Sequence, residues 1–348
     1  MTAALPLTLD YPLDAPPAPG SALTIAPGIL WLRMPLPFAL DHINVWLLTD
    51  GDDWTLVDCG FGTAPTRELW ATHFTSTLDG RPIGRVIATH CHPDHVGNAE
   101  WLVARFGCPL FMTHAEFMTV HAMAEQHSGY GVQHTIALFR QHGMEDDHLA
   151  ALDDRGNAYR RGVPTTPLNF ERLLDGDRLA VDGHDWEVIE GHGHSPEHAS
   201  LYSGSHGVLI SGDMLLPRIS TNISIWAVEP DGDPLQRFLD SLARFEALPP
   251  DTLVLPSHGM PFRGIALRVA ELRAHHAARL RELEAAVHAA GPSSAATIVP
   301  VLFRRELDLQ QRFFAMGEAI AHLNHLWRRG RLKRVRTSDN RILYAPTA

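Results

Sequence analysis

Three histidines and an aspartate fall within six positions at His90-Cys91-His92-Pro93-Asp94-His95, behind the apolar run Val86-Ile87-Ala88. No other feature limits so strongly what this chain can fold into. Neutral imidazoles and a carboxylate are the donors that a borderline divalent cation such as zinc takes. Loops at strand ends on a rigid sheet deliver such donors to one point. Residues two apart on extended backbone point the same way, so His90 and His92 are expected to face one centre. Asp94 and His95 then run on into a turn. The order reads as two ligands for one metal followed by two for another.

Four residues cannot close two metal sites, because each takes three or four protein ligands plus water. Three later segments offer the remainder. They are Val188-Ile189-Glu190-Gly191-His192-Gly193-His194-Ser195-Pro196, then Val208-Leu209-Ile210-Ser211-Gly212-Asp213, then Leu253-Val254-Leu255-Pro256-Ser257-His258-Gly259. Each is an aliphatic run leading into a glycine-bearing turn that carries His or Asp.

With these motifs in this order, the chain resembles the metallo-β-lactamase superfamily, and within it the glyoxalase II-like and ribonuclease Z-like members. The resemblance covers residues 22–265. It implies an α/β fold, the four-layer αβ/βα sandwich, with a two-metal site at one edge. Residue by residue, it implies that His90, His92 and His194 bind metal one and that Asp94, His95 and His258 bind metal two, with Asp213 bridging them. Asp58, closing Thr55-Leu56-Val57-Asp58, matches the family's early strand-end aspartate, which orients a ligand loop rather than binding metal. His192, His194 and His198 share one short stretch. His194 is chosen because Gly193-His194-Ser195-Pro196 fits the family's Gly-His-Thr-Pro pattern; His192 and His198 then fall at the rim or behind the ligands. An ordinary buried role for His198 stays open.

The rest of the sequence bounds the class. At 348 residues the chain can bury a large core and suggests about two domains. No run of about 18 apolar residues marks a membrane span, and no Lys or Arg precedes Arg33 to begin a secretory signal. Residues 1–20 are rich in Pro and Ala and read as an irregular lead-in. Three cysteines without framework spacing (Cys59, Cys91 and Cys108) point to a reducing, cytoplasmic setting. The Cys91 side chain should point away from its flanking ligands. Residues 266–348 carry a net +7 and residues 1–265 a net −18. A nucleic-acid contact, two complementary domains and an Arg-rich solvated face all fit that asymmetry.

Three parts are expected: a catalytic domain over 1–265, a helical insertion at about 115–176, and a C-terminal domain over 266–348. Strands are predicted over 22–34, 43–49, 54–58, 86–89 and 109–113, with hairpin turns at Asp50-Gly51-Asp52-Asp53 and Asp182-Gly183-His184-Asp185. Helices are predicted over 68–74, capped by Thr66, and over 98–106. Within the insertion, 115–125 and 134–142 read as helices, with Met118, Met123 and Phe139 as its own core. Leu272, Leu280, Leu283 and Val287 share a helix face that Gly291-Pro292 stops. Leu309, Phe313, Met316, Ile320, Leu323 and Trp327 repeat at helical spacing, and a basic hairpin follows. This end of the chain resembles the winged-helix tail of the β-lactamase-like protein 2 group, so an α+β winged-helix-like domain is expected.

Two divalent cations about 3.5–4 Å apart would share a water and give hydroxide at neutral pH. Zinc is the expected metal, with iron or manganese as alternatives. Asp94 is then the candidate to protonate the leaving group. The chain's only lysine, Lys333, lies far along in the tail, so a Schiff base has little support. Asp213 as a bridge argues against true β-lactamases, and Leu216 stands where a lactonase would carry tyrosine. The first reading is therefore hydrolysis of a small-molecule ester or thioester. The alternative is a phosphodiester, with single-stranded RNA held by the basic hairpin. A redox protein holding iron and a non-catalytic metal binder complete the alternatives. No membrane contact is expected, and a homo-oligomer is compatible with the sequence.

Overall fold

The computed structural model describes residues 8–127 and 129–347. The chain runs β1 (Leu23–Ala26), β2 (Ile29–Pro35), β3 (His42–Asp50), β4 (Asp53–Val57), α1 (Ala64–Ser76), β5 (Ile83–Ile87), α2 (Pro93–Val96), α3 (Ala99–Phe106), β6 (Leu110–Thr113) and α4 (His114–Ala124). Then come α5 (Val132–Gln141), α6 (Asp146–Arg155), α7 (Tyr159–Gly162), β7 (Glu171–Leu173), β8 (Arg178–Val181), β9 (His184–Gly191), β10 (His198–Ser203) and β11 (Val208–Gly212). The last elements are α8 (Pro234–Glu246), β12 (Leu253–Pro256), α9 (Ile265–Ala290), α10 (Ala295–Leu302), α11 (Leu309–Arg328), β13 (Leu332–Arg336) and β14 (Ile342–Pro346).

Two compact units emerge. The first takes residues up to 124 with 158–221 and 241–269; the second takes 125–157, 222–240 and 270 onward. In the first unit a seven-stranded sheet runs β1 to β7 in sequence order, and a five-stranded sheet runs β12-β11-β10-β9-β8. They share one core. Ile29, Trp31, Trp46, Val57 and Ile87 come from the first sheet, and Trp186, Val188, Leu201, Ile210 and Leu255 from the second. Trp31 and Trp46 stack with ring centroids 6.0 Å apart. The alternate residues Leu32 and Met34 are buried as well, so both faces of that sheet are covered. Helices α1 and α3 pack on strands β2 and β5 of the same sheet. This is the expected α/β sandwich.

Local details depart from expectation where a turn or cap overrides the pattern. Strand 22–34 is a hairpin, β1 with β2, because Pro27-Gly28 turns the chain and Gly28 sits at φ +76°. Helix α1 begins earlier than predicted, behind Thr63, with proline in its first turn; Thr66 is a buried helical residue and not its cap. Strand β5 ends at Ile87, two residues before the predicted limit. The turn between β8 and β9 is the two residues Asp182 and Gly183, both at positive φ. Residues 1–7 of the lead-in lie outside the described residues. Residues 8–22 form neither helix nor strand beyond a bridge between Asp10 and Arg263.

The segment 115–176 does not stand apart as one insertion. Its α4, α7 and β7 belong to the first unit, with β7 completing the seven-stranded sheet. Its middle, with α5 and the unpredicted α6, joins the second unit and α11. Phe139 meets Phe313 of α11 at 5.6 Å between centroids, so its apolar partner comes from the tail. Met118 is 51% exposed and lies outside any core.

The second unit also holds α9 from Ala270, α10, α11 and the hairpin of β13 with β14. Leu272, Leu280, Leu283 and Val287 are buried on α9 as predicted. Helix α11 starts at a capping box between Asp308 and Gln311. It is buried on nearly every side from Ala315 to Leu326, more than the predicted stripe.

Three rings of this unit, His142, His276 and His322, are buried, and burial pushes them down to about 3, 3 and 4. Their unfolded values lie near 6.5. The unfolded chain therefore binds more protons below pH 6.5, and stability falls as pH drops through that window toward 3–4. Replacing His142 with Phe should remove one such contribution, about 1–2 kcal/mol at pH 5. Urea unfolding of metal-free protein at pH 7 and pH 5 checks this; an unchanged pH difference in H142F would count against it.

Candidate metal centre

Five strand ends supply the site. Parallel pairing matches Val57 of β4 with Ile87 of β5, so the residues after each strand emerge side by side. In the second sheet Gly212 of β11 matches Pro256 of β12 in the same way. Beyond these ends come Asp58, the loop from Thr89 to His95, Asp213 and His258, and the connection from β9 to β10 carries His194. Gly212 must be glycine: its φ is +52°, and a Cβ there would collide with the His198 ring.

The seven predicted ligands come together in two groups. His90, His92, His194 and Asp213 form one; Asp94, His95 and His258 form the other. In the first, His90 Nε2 lies 2.9 Å from His92 Nδ1 and 3.2 Å from His194 Nε2. In the second, Asp94 Oδ2 is 3.4 Å from His258 Nε2 and 3.7 Å from His95 Nε2. Asp213 faces both: Oδ2 is 3.4 Å from His194 Nε2, while Oδ1 is 3.4 Å from His258 Nε2 and 3.6 Å from His95 Nε2.

Hydrogen bonds behind the rings set which nitrogen points inward. Asp58 accepts from Thr89 N at 2.8 Å, from Thr89 Oγ1 at 3.0 Å, and from His95 Nδ1 at 2.8 Å. Once the Thr89 hydroxyl donates to Asp58, it accepts from His90 Nδ1 at 3.1 Å. His258 Nδ1 donates to the His42 carbonyl at 2.8 Å. All three rings thus keep the proton on Nδ1 and turn the Nε2 lone pair to the centre.

The residues fit a pair of cations. His95 Nε2 and Asp213 Oδ1 are buried without a hydrogen-bond partner, and both aim at the centre. His90 and His92 sit well below the ordinary imidazole range, through burial first and neighbouring rings second, so they stay neutral donors. His95 moves the other way, to about 10, because Asp58, Asp94 and Asp213 outweigh its burial. For Asp213, His258 and His95 overcome burial and hold the carboxyl well below the usual range. The second group therefore has excess negative charge that either a proton or a metal cation answers.

The neighbouring residues fall where the motifs placed them, with a few additions. Asp58 is buried, at φ +62°, and its carboxylate is spent on Thr89 and His95 Nδ1. His192 is at the rim, its side chain 43% exposed. His198 is fully buried and accepts the Asp213 backbone N–H at 3.1 Å, so it steadies the ligand loop from behind. Cys91 is buried, and burial first and the Glu116 carboxylate second push its thiol well up, away from the thiolate form. Residues His90 and His92 converge from a loop rather than from a strand. Sequence reasoning missed His42, Tyr159 and Glu116. His42 offered the one signal, a polar interruption of an apolar run.

The sequence pattern of the metallo-beta-lactamase superfamily matches residues 39–258, and that of the metallo-beta-lactamase-like C-terminal domain matches residues 280–347. A crystal structure of a beta-lactamase domain protein from Burkholderia ambifaria is 49% identical, with a TM-score of 0.90 over 97% of this chain and 98% of that one. The probable metallo-hydrolase YqjP of Bacillus subtilis is 26% identical over 86% of this chain and 92% of its own. A hydroxyacylglutathione hydrolase of Xanthomonas oryzae is 30% identical over 64% of this chain and 82% of its own.

Removing Asp213 should cost more metal than removing any one histidine, because only Asp213 faces both groups. Asp213→Ala and His90→Ala should both abolish hydrolysis and keep a near-native circular dichroism spectrum, with the lower metal content in Asp213→Ala. Full activity in metal-depleted D213A would refute the two-metal arrangement.

Proposed function

The chain belongs to the metallo-beta-lactamase superfamily, and we propose that it is a binuclear metal-dependent hydrolase of a small-molecule ester or thioester. One observation carries the reading: the two oxygens of buried Asp213 face two separate donor groups. Two divalent cations, zinc foremost, with iron or manganese as alternatives, would supply an activated water and a Lewis acid for the attacked carbonyl.

The chain's own residues do the rest. Asp58 holds His95 in one tautomer, and the His42 carbonyl does the same for His258. Within the second group Asp94 is the most exposed donor, its side chain 14% exposed against 3% for His258 and none for His95. It is placed to carry a proton to the departing alcohol or thiol. The relative named for hydroxyacylglutathione hydrolysis supports a thioester over a phosphodiester.

The charge of the second unit supports the same choice. Without Arg268, which belongs to the first unit, the tail residues 270–348 carry 13 basic and 7 acidic side chains, and that excess is met within the second unit by acids from 125–157 and 222–240. Counted as a unit it holds 16 basic and 17 acidic side chains. Arg331 pairs with Glu284, Arg334 with Asp231, and Arg341 with Asp339. Arg334 also lies 3.7 Å over the Trp327 ring. Cations bound in this way are poor phosphate ligands. In this proposal residues 1–265 carry the chemistry, and the winged-helix-like residues 266–348 carry none. No helix among the described residues is long and apolar enough to cross a membrane. The buried, unbonded Cys59, Cys91 and Cys108 fit cytoplasmic work.

Acyl thioesters and labelled single-stranded RNA, assayed in parallel on metal-loaded protein, decide between the substrates. Thioester turnover is expected, lost in Asp94→Ala and nearly untouched when Arg331, Lys333 and Arg334 are all replaced by Ala. RNA cleavage that falls steeply with salt, and is lost in the folded triple variant, would reverse the assignment.

A further inference from the structure

Glu116 lies in the first turn of α4 and is fully buried, yet the chemistry above gives it no part. Its two oxygens serve two different loops. Oε2 accepts the backbone N–H of Cys91 at 2.9 Å, between His90 and His92. Oε1 accepts the backbone N–H of Glu197 at 2.8 Å, three residues past His194. The contact is returned: the Glu197 carboxylate accepts Ala115 N–H at 2.9 Å at the start of α4, and the Glu197 carbonyl accepts the Thr113 hydroxyl at 2.8 Å. On the other side of the first loop, the Tyr159 hydroxyl donates to the Cys91 carbonyl at 2.6 Å. Cys91 is therefore pinned at both its N–H and its C=O. The loops so joined carry His90, His92 and His194, the three histidines of one donor group. In the other group the rings are held directly by Asp58 on His95 and the His42 carbonyl on His258; Asp58 reaches His90 only through the Thr89 hydroxyl, and Glu116 bonds neither His95 nor His258.

We propose that Glu116 is the positioning residue of the His90, His92 and His194 group: one buried carboxylate that fixes the spacing of two ligand loops and so presets a three-histidine site for a divalent cation. The proposal rests on the two-metal reading. Its chemistry is specific to a carboxylate. Two N–H donors need two acceptor oxygens, and a glutamine of the same shape turns an NH2 toward one of them. Glu116→Gln thus keeps the volume and breaks one loop contact.

The test uses metal-stripped, full-length protein titrated with Co2+, read by its visible absorption and by competition with a chelator. In a His258→Ala background the Glu116-linked group is the complete one; in a His194→Ala background the other histidine pair is intact. Glu116→Gln should weaken Co2+ binding about 10–100-fold in the first background, the usual cost of losing an orienting partner, and leave the second unchanged. Tyr159→Phe, which loses only the hydroxyl on Cys91, should show the same selectivity with a smaller loss. Equal weakening in both backgrounds, or none in either, would overturn the proposal. Should Glu116→Gln fail to fold by circular dichroism, Tyr159→Phe decides in the same way. An unsubstituted protein that takes up fewer than two Co2+ would sink the two-metal reading itself and the proposal with it, a result distinct from a two-ion protein indifferent to Glu116.

Discussion

The buried carboxylate of Asp58 is the contact on which the centre depends. It sits at φ +62°, a left-handed conformation that costs a non-glycine residue of order 1–2 kcal/mol. That cost is offset locally. Its backbone N–H meets the Ile87 carbonyl at 2.8 Å, and the next N–H, of Cys59, meets the His95 carbonyl at 2.8 Å. With the side chain aimed into the Thr89 loop, the end of β4 is stitched to the whole ligand loop after β5. An extended conformer of Asp58 would lose these bonds together. His95 would then be free to choose the other tautomer, and its inward lone pair would be lost.

The same logic repeats at each ligand loop, through a different partner. His198 holds the Asp213 backbone, the His42 carbonyl holds His258, and Glu116 spans the His92 and His194 loops. The ligands meet across two sheets, so their separation is set by the apolar layer beneath. That layer contains Trp31, Trp46 and Trp186, each fully or almost fully buried. Aromatic side chains of this size are costly to truncate in a core, typically about 3–5 kcal/mol. The spacing of the candidate metal donors is thereby tied to the shared apolar core of the two sheets.

Charge reads differently once the chain is folded. Along the sequence the tail is a basic block, the usual signature of a polyanion partner. In the second unit Asp231 takes Arg334 through its carboxylate and Arg328 through its carbonyl, and Glu229 takes Arg237. These acids stand about a hundred residues before the arginines of the tail. Exposed pairs of this kind add little stability. They do place an acid against each of these arginines, so the tail's charge is not a bare basic block within its own unit.

What the sequence determined by itself is the chemistry. The seven candidate ligands that folding brings together, Asp58 behind them, and the order of strand, turn and donor were legible, because imidazoles and carboxylates at such spacing suit a metal, and because strand ends announce themselves through aliphatic runs and glycine. The turns at 50–53 and 182–185 and the apolar face of α9 were legible for the same local reason, whereas the start of α1 was not: Thr63, not Thr66, stands before it. Tertiary structure decided the rest. Whether β7 joins a sheet, where α5 and α6 pack, and why Phe139 lies against Phe313 all depend on partners supplied by distant segments. Glu116 is the plainest case. In the sequence it is one glutamate in a short helix, and its role exists only because folding brings Cys91 and Glu197, 25 and 81 residues away, to its two oxygens. Local spacing records which atoms can bind a metal; only long-range packing fixes the hydrogen bonds that aim them.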